Sequence, residues 1–234
     1  MEEKKMNSHR IAAKIFGLFF ILTFLSYGIG SGLIESIVAT PDFLAQINAN
    51  QIQLVIGVVL MALVHTFLNI GLPVIVLPIL KPYSRYLAYG YLSAAIVATV
   101  ILAVGAIFLL LLLPLSNEYV KANSPAIPSV EIISKLLKEG GFYAYHMGMA
   151  LWSLGGLMFV SILYKSKLIP QLMSVWGLIG YIFLLLGSIS ELFGHNDIVD
   201  FVSVIPGGLF EITLSLWLII RGFTAPTTVS KPVK

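Results

Sequence analysis

The sequence contains no cysteine and very little charge. Without cysteine there are no disulfides, thiolate metal sites, cysteine nucleophiles or S-acylation sites. Charged residues make up 11% of the 234 positions, less than half of the roughly 25% typical of soluble domains. Hydrophobic residues make up 58%, and the mean hydropathy is +0.96. A water-soluble globule is thereby excluded. A disordered chain is excluded too, because disorder needs low hydrophobicity and high charge. The signatures HExxH, GxSxG, GxxxxGKS/T and GxGxxG are all missing, which weakens the case for a hydrolase, an ATPase or a nucleotide enzyme. No cofactor is expected. A basic stripe with interleaved aromatics is also lacking, so nucleic acid is not an expected partner.

What the sequence does hold is apolar length. A membrane-crossing helix needs about 20 mainly apolar residues, and six stretches meet that requirement: Ile11–Ser36, Gln53–Leu80, Tyr86–Leu115, Phe142–Tyr164, Gln171–Phe193 and Phe201–Ile220. None shows the polar face of a soluble bundle helix. The expected fold is all-α, a polytopic bundle of six transmembrane helices in contact with membrane lipid. Residues 1–10 form an N-terminal tail, 11–221 one transmembrane domain and 222–234 a C-terminal tail. Lys4, Lys5, Arg10 and Lys14 precede the first span as they would a secretory signal. Its apolar core outruns a signal h-region, and no clean cleavage site follows, so it reads as a retained anchor.

Charge placement sets the expected orientation. With the N-terminus inside, 11 of the 14 basic residues fall on the inner side, and only Lys121, Lys135 and Lys138 lie outside. By the positive-inside rule both termini are cytoplasmic. The inner turns, Lys81–Arg85 and Lys165–Pro170, are short, so spans two and three form one hairpin and spans four and five another. Both turns are basic, carry proline and lead to an aromatic-Gly pair, Tyr89-Gly90 and Trp176-Gly177. A shared topological constraint accounts for this echo as well as a repeat does. Two outer segments read as interfacial helices. Ser129–Gly141 places Ile132, Ile133, Leu136 and Leu137 on one face, with Gly140-Gly141 as a stop. Thr40-Pro41-Asp42 reads as a helix start, with Phe43, Leu44 and Ile47 facing the membrane.

Ionisable groups at bilayer depth are functional candidates. Glu211 lies ten residues before Arg221, about 15 Å along a helix and so near the midplane. Gly207, Gly208 and Ser215 share its face and would let another helix approach. It is read either as a ligand- or proton-binding acid or as a carboxyl tying helices together. His65 and Asn69 share one face of the second span. His146 lies in the outer part of the fourth span, with Met149, Ala150 and Ser153 on its face. Each of these can serve a ligand or an interhelical hydrogen bond. Glu35 ends the first span near the Gly28-x-x-x-Gly32 pair, which reads as helix packing. Glu191 closes the fifth span below a stripe of small residues including Gly177, and is placed in the outer headgroup region. Gly194-His195-Asn196-Asp197 holds hard ligands, but no third or fourth partner is spaced beside them, so no metal site is expected.

Three stretches together resemble a known family. They are Leu163-Tyr164-Lys165-Ser166-Lys167-Leu168-Ile169-Pro170 continuing to Ser174-Val175-Trp176-Gly177-Leu178-Ile179-Gly180, then Pro206, Glu211, Leu216-Trp217-Leu218-Ile219 and Arg221-Gly222-Phe223, and finally the entry Arg10-Ile11-Ala12-Ala13. The chain resembles the prokaryotic integral membrane proteins filed as domain of unknown function 4386, over nearly all of residues 8–223. The resemblance implies six helices in a prokaryotic cell membrane, an unassigned activity, and an acid in the last helix that Glu211 matches. Many members carry an Arg and a Glu early in the third span, where this chain has Ser93-Ala94-Ala95-Ile96-Val97-Ala98.

Three functional readings follow. The first is a receptor or carrier for a small apolar or weakly basic ligand, or for a lipid, around Glu211. The second is a structural or interaction protein, such as a scaffold, an immunity protein or a complex subunit, with the buried polars as helix glue and a homo-oligomer as one form. The third is an intramembrane His/Glu enzyme acting on lipid, which requires His65, His146 and Glu211 to converge.

Overall fold

A computed structural model describes residues 2–121, 127–194 and 197–224, and of residues 2–7, 197, 198 and 200 the helical backbone alone. Every regular element among them is helical, as a lipid solvent demands when no water is present to satisfy backbone N–H and C=O groups. The helices are α1 (Glu2–Val38), α2 (Phe43–Ala49), α3 (Gln51–Val58), α4 (His65–Leu80), α5 (Arg85–Leu110), α6 (Leu112–Lys121), α7 (Ile127–Ser166), α8 (Gln171–Glu191) and α9 (Asp197–Ile220). A π-helical segment, Val59–Val64, joins α3 to α4 without a break. Six spans are long and apolar enough to cross a membrane: Ser8–Val38, Gln51–Leu80, Arg85–Lys121, Ile127–Ser166, Gln171–Glu191 and Phe201–Ile220. These coincide with the six stretches read from the sequence. Helix α1 begins at Glu2 and runs without a break into the first span.

The spans close into a ring, in which each packs along the next and the sixth returns to the first. Both expected hairpins are present. One end of the ring carries both described termini. Gly222, with a left-handed φ of +75°, lies against Arg10 and Ala13, and the Thr224 amide donates to the Leu168 carbonyl at 2.8 Å. At the opposite end, the far side, Asn117 accepts from Asn48 at 2.7 Å and from Gln51 at 2.9 Å.

Two interfacial helices expected on the far side take other forms. The helix after Thr40 starts later, because the Thr40 hydroxyl donates to the Ile37 carbonyl at 2.8 Å and so closes α1. Asp42 is then the N-cap position of α2. Leu44 and Ile47 do not face the membrane. Both are buried, Ile47 in a cluster with Ile34, Leu54 and Leu112, an apolar surface within the chain that the sequence alone does not reveal. The segment Ser129–Gly141 is not a separate surface helix either, since α7 runs unbroken for 40 residues, about 60 Å at 1.5 Å per residue. Gly140 and Gly141 do not stop it. A Cβ on Gly140 would come within 3.0 Å of the Phe108 ring, and one on Gly141 within 3.4 Å of Leu109, so these glycines let α7 pass close to α5. Ile132, Ile133 and Leu136 remain exposed along the projecting turns.

The glycine contacts also differ from the motif. A Cβ on Gly28, Gly32 or Gly208 would meet nothing within 4 Å, so none of these three packs closely within the chain. The tight crossing of α1 is made by Gly30, whose Cβ would lie 2.7 Å from the Gly57 carbonyl oxygen. Gly30 stands two residues from Gly28, about 200° round the helix, so the GxxxG spacing marks the opposite face. Gly177 and Gly207 do pack. A Cβ on Gly177 would enter the Phe210 ring, at 2.5 Å, and one on Gly207 would lie 3.5 Å from the Gly180 carbonyl oxygen.

Candidate functional site

Glu211 is 6% exposed on α9. Its Oε1 accepts two hydrogen bonds, from Trp152 Nε1 on α7 at 3.0 Å and from the Tyr181 hydroxyl on α8 at 2.7 Å. The Tyr181 ring reaches this point because Gly156 on α7 has no side chain where the ring lies. It packs edge-on against Phe210, with centroids 5.9 Å apart. Ser215 donates to the Glu211 backbone carbonyl at 2.7 Å, one turn along the same helix. Both side-chain donors meet Oε1, so Oε2 receives none among the described residues.

That carboxyl group borders a half-enclosed cavity of about 220 Å³ inside the ring. Its walls are mainly apolar and aromatic, with Thr23, Tyr27, His65, Asn69, Trp152 and Glu211 as the chief polar contributors. No Lys or Arg lines it. His65 is 8% exposed, with Nδ1 3.3 Å from the Thr23 carbonyl oxygen. A carbonyl only accepts, so this contact places the proton on Nδ1 and leaves Nε2 of the neutral ring as an acceptor. Nε2 has no hydrogen-bond partner among the described residues. Tyr27 packs edge-on to His65 at 5.1 Å and stacks on Tyr145 at 5.9 Å, which fixes the imidazole from one side. Glu211 and His65 thus both line the cavity, each with an acceptor atom that no described residue bonds.

Asn69 borders the same space, but its amide donates to Thr99 on α5 at 2.7 Å, and Thr99 in turn donates to the Ala95 carbonyl at 2.7 Å. Asn69 is thus part of a clasp between the second and third spans. The remaining candidates lie elsewhere. His146 is 2% exposed and packs between Phe142 and Tyr145, with centroids at 4.3 and 5.0 Å, outside the cavity lining. Glu35 is exposed and away from the cavity. Glu191 is 1% exposed, buried against protein at the end of α8. His195 and Asn196 lie outside the described residues, as do Lys231 and Lys234 of the basic count. No three His, Asp or Glu side chains cluster among the described residues, and the convergence of His65, His146 and Glu211 needed for the enzyme reading is not present.

Sequence reasoning missed Trp152, Tyr181 and Tyr27. A usable signal existed, because Trp and Tyr favour the membrane interfaces, and a deep one needs a partner for its N–H or O–H. Trp152 and Tyr181 fall near the middles of their spans. The stretch Ser93–Ala98 supplies small residues to a seam with α7. A Cβ on Gly155 of α7 would meet Ala94 at 3.1 Å, and Ala95 and Ala98 are fully buried.

No curated protein and no solved structure matches the chain. A family model does, over residues 15–222, and its description is Domain of unknown function (DUF4386). With most of its length inside that match and six apolar spans, the chain belongs to this family of multi-pass integral membrane proteins of the prokaryotic cell membrane.

Proposed function

We propose that the protein is a receptor or carrier for a small ligand whose polar end is a weakly basic amine or a hydroxyl group. The ligand sits in the Glu211 cavity with its donor on Oε2 and within reach of His65. One observation carries this reading: a buried carboxyl takes both of its protein donors on one oxygen, and its residue lines a mainly apolar cavity whose lining holds no Lys or Arg. The second oxygen is left to accept from a donating ligand. An anionic ligand would meet the carboxyl with no compensating cation.

The test uses purified protein in lipid nanodiscs with n-octylamine and n-octanoate as probes, followed by thermal unfolding and calorimetry. Octylamine is expected to stabilise the protein and octanoate is not, and Glu211→Gln should remove most of the amine effect. Equal response to both probes, or an amine effect indifferent to Glu211→Gln, overturns the proposal.

The second reading, buried polars as helix glue, is supported by the closed Asn69–Thr99 clasp. It predicts that Glu211→Gln lowers stability with no probe effect to lose. In both readings residues 11–221 act as one transmembrane unit, and we take both termini as cytoplasmic from the asymmetry of 11 basic residues against 3.

A further inference from the structure

We infer that the Glu211 cavity fills sideways, from the bilayer, through a gap between α1 and α9, and that its ligand is a membrane-dissolved single-chain amine or alcohol. The inference rests on the ligand-site reading above and adds where the ligand comes from.

Depth is the first argument. Apart from Val204, every residue lining the cavity stands about 13 Å or more along its membrane span from the ends of that span, at 1.5 Å per residue. Val204 is the nearest to an end, shortly after Phe201 where the sixth span begins. An opening bordered mainly by such residues faces hydrocarbon along most of its rim.

Helix packing supplies the second argument. Near the termini side α1 touches α9, where a Cβ on Gly17 would lie 2.5 Å from the Ser215 carbonyl oxygen. Further along, α1 leaves α9 and crosses the second span at Gly30 and Gly57. The opening we infer lies between these crossings. Phe24 and Gly28 on α1 and Val204 on α9 line the cavity and are also partly or fully exposed, so they form its rim. Gly28 and Gly208, one on each side of the gap, have nothing within 4 Å of a Cβ position.

Chemistry limits the occupant. A phosphate-bearing headgroup would need a cation, and no Lys or Arg lines the cavity. A volume of about 220 Å³ holds one short chain with its head on Glu211 and His65, the rest of the tail lying in the gap. Two acyl chains do not fit.

The absence of cysteine does not help here, but the small number of tryptophans does. Trp176→Phe with Trp217→Phe leaves Trp152, in the cavity wall, as the single tryptophan. Reconstituted into vesicles of phosphatidylcholine brominated at mid-chain, this protein should show Trp152 fluorescence quenched by acyl chains entering the gap. Added n-octylamine should relieve the quenching. Gly28→Leu fills the rim and should reduce quenching at least twofold, whereas Gly32→Leu, one turn further and outside the lining, should leave it unchanged. Circular dichroism and a melting curve check that both variants fold, and Gly28→Ala is the milder second variant. Trp152 unquenched in the parent, or Gly28→Leu and Gly32→Leu behaving alike, overturns lateral entry even if octylamine still binds through Glu211. Quenching that depends on Gly28 but is untouched by octylamine overturns the amine reading and leaves lipid access standing.

Discussion

The bond from the Tyr181 hydroxyl to Glu211 Oε1 offers the sharpest test of the buried polar core. Tyr181→Phe removes one oxygen and keeps the ring against Gly156 and Phe210, so packing changes little. The lost interaction is a 2.7 Å bond between fully and nearly fully buried groups, bridging α8 and α9. Interhelical hydrogen bonds in membrane proteins average about 0.6 kcal/mol by double-mutant cycle, with a maximum near 1.7. Burial and the short distance put this bond in the upper half of that range. Trp152 still donates to the same oxygen at 3.0 Å, so the carboxyl is not stripped, which keeps the loss below the cost of an orphaned acid. The assay is reversible unfolding in mixed micelles across the cycle wild type, Tyr181→Phe, Glu211→Leu and the double variant. A coupling energy of about 1–1.7 kcal/mol is expected. A coupling near zero would refute the reasoning, because the two groups would then contribute independently of each other.

Two further outcomes follow from the packing and from the charge count. Gly30→Leu should destabilise the fold by about 1–3 kcal/mol through overpacking against the Gly57 carbonyl, while Gly32→Leu should change the unfolding midpoint little; equal effects would contradict the crossing described. With no native cysteine, Lys165→Cys gives a single exposed thiol on the termini side, and it should react with a membrane-impermeant maleimide in inside-out vesicles but not in intact cells. Labelling in intact cells would reverse the proposed orientation.

Much of the architecture was legible before any coordinates. Apolar runs of about 20 residues have one stable form in a bilayer, so the six spans and their two hairpins follow from hydropathy and short turns. Glu211 stood out for the same reason, a carboxyl stranded in an apolar span. Contacts were harder to read, because a helix apolar all round gives no indication of which face meets protein and which meets lipid. That ambiguity put close packing on Gly28 and Gly32 when the crossing uses Gly30. It turned Leu44 and Ile47 outward when both are buried, Ile47 in the apolar cluster on the far side of the ring. Gly140-Gly141 reads as a helix stop in the sequence, since glycine both ends helices and lets them approach, and only the position of Phe108 and Leu109 distinguishes the two uses.

The candidate site shows the same division. His65, Asn69 and Glu211 were identifiable singly, as polar groups at depth. Their grouping around one cavity, the exclusion of His146 from it, and the donors Trp152 and Tyr181 depend on helix rotation and ring order, which side-chain periodicity does not encode in a uniformly apolar span. By itself the sequence determined that this chain lives in a membrane, how many times it crosses, and which acid lies deep, because transfer free energy is a property of composition. The tertiary structure alone decided that both donors reach one oxygen of Glu211 and that this residue lines a cavity, because that depends on where the helices aim their side chains.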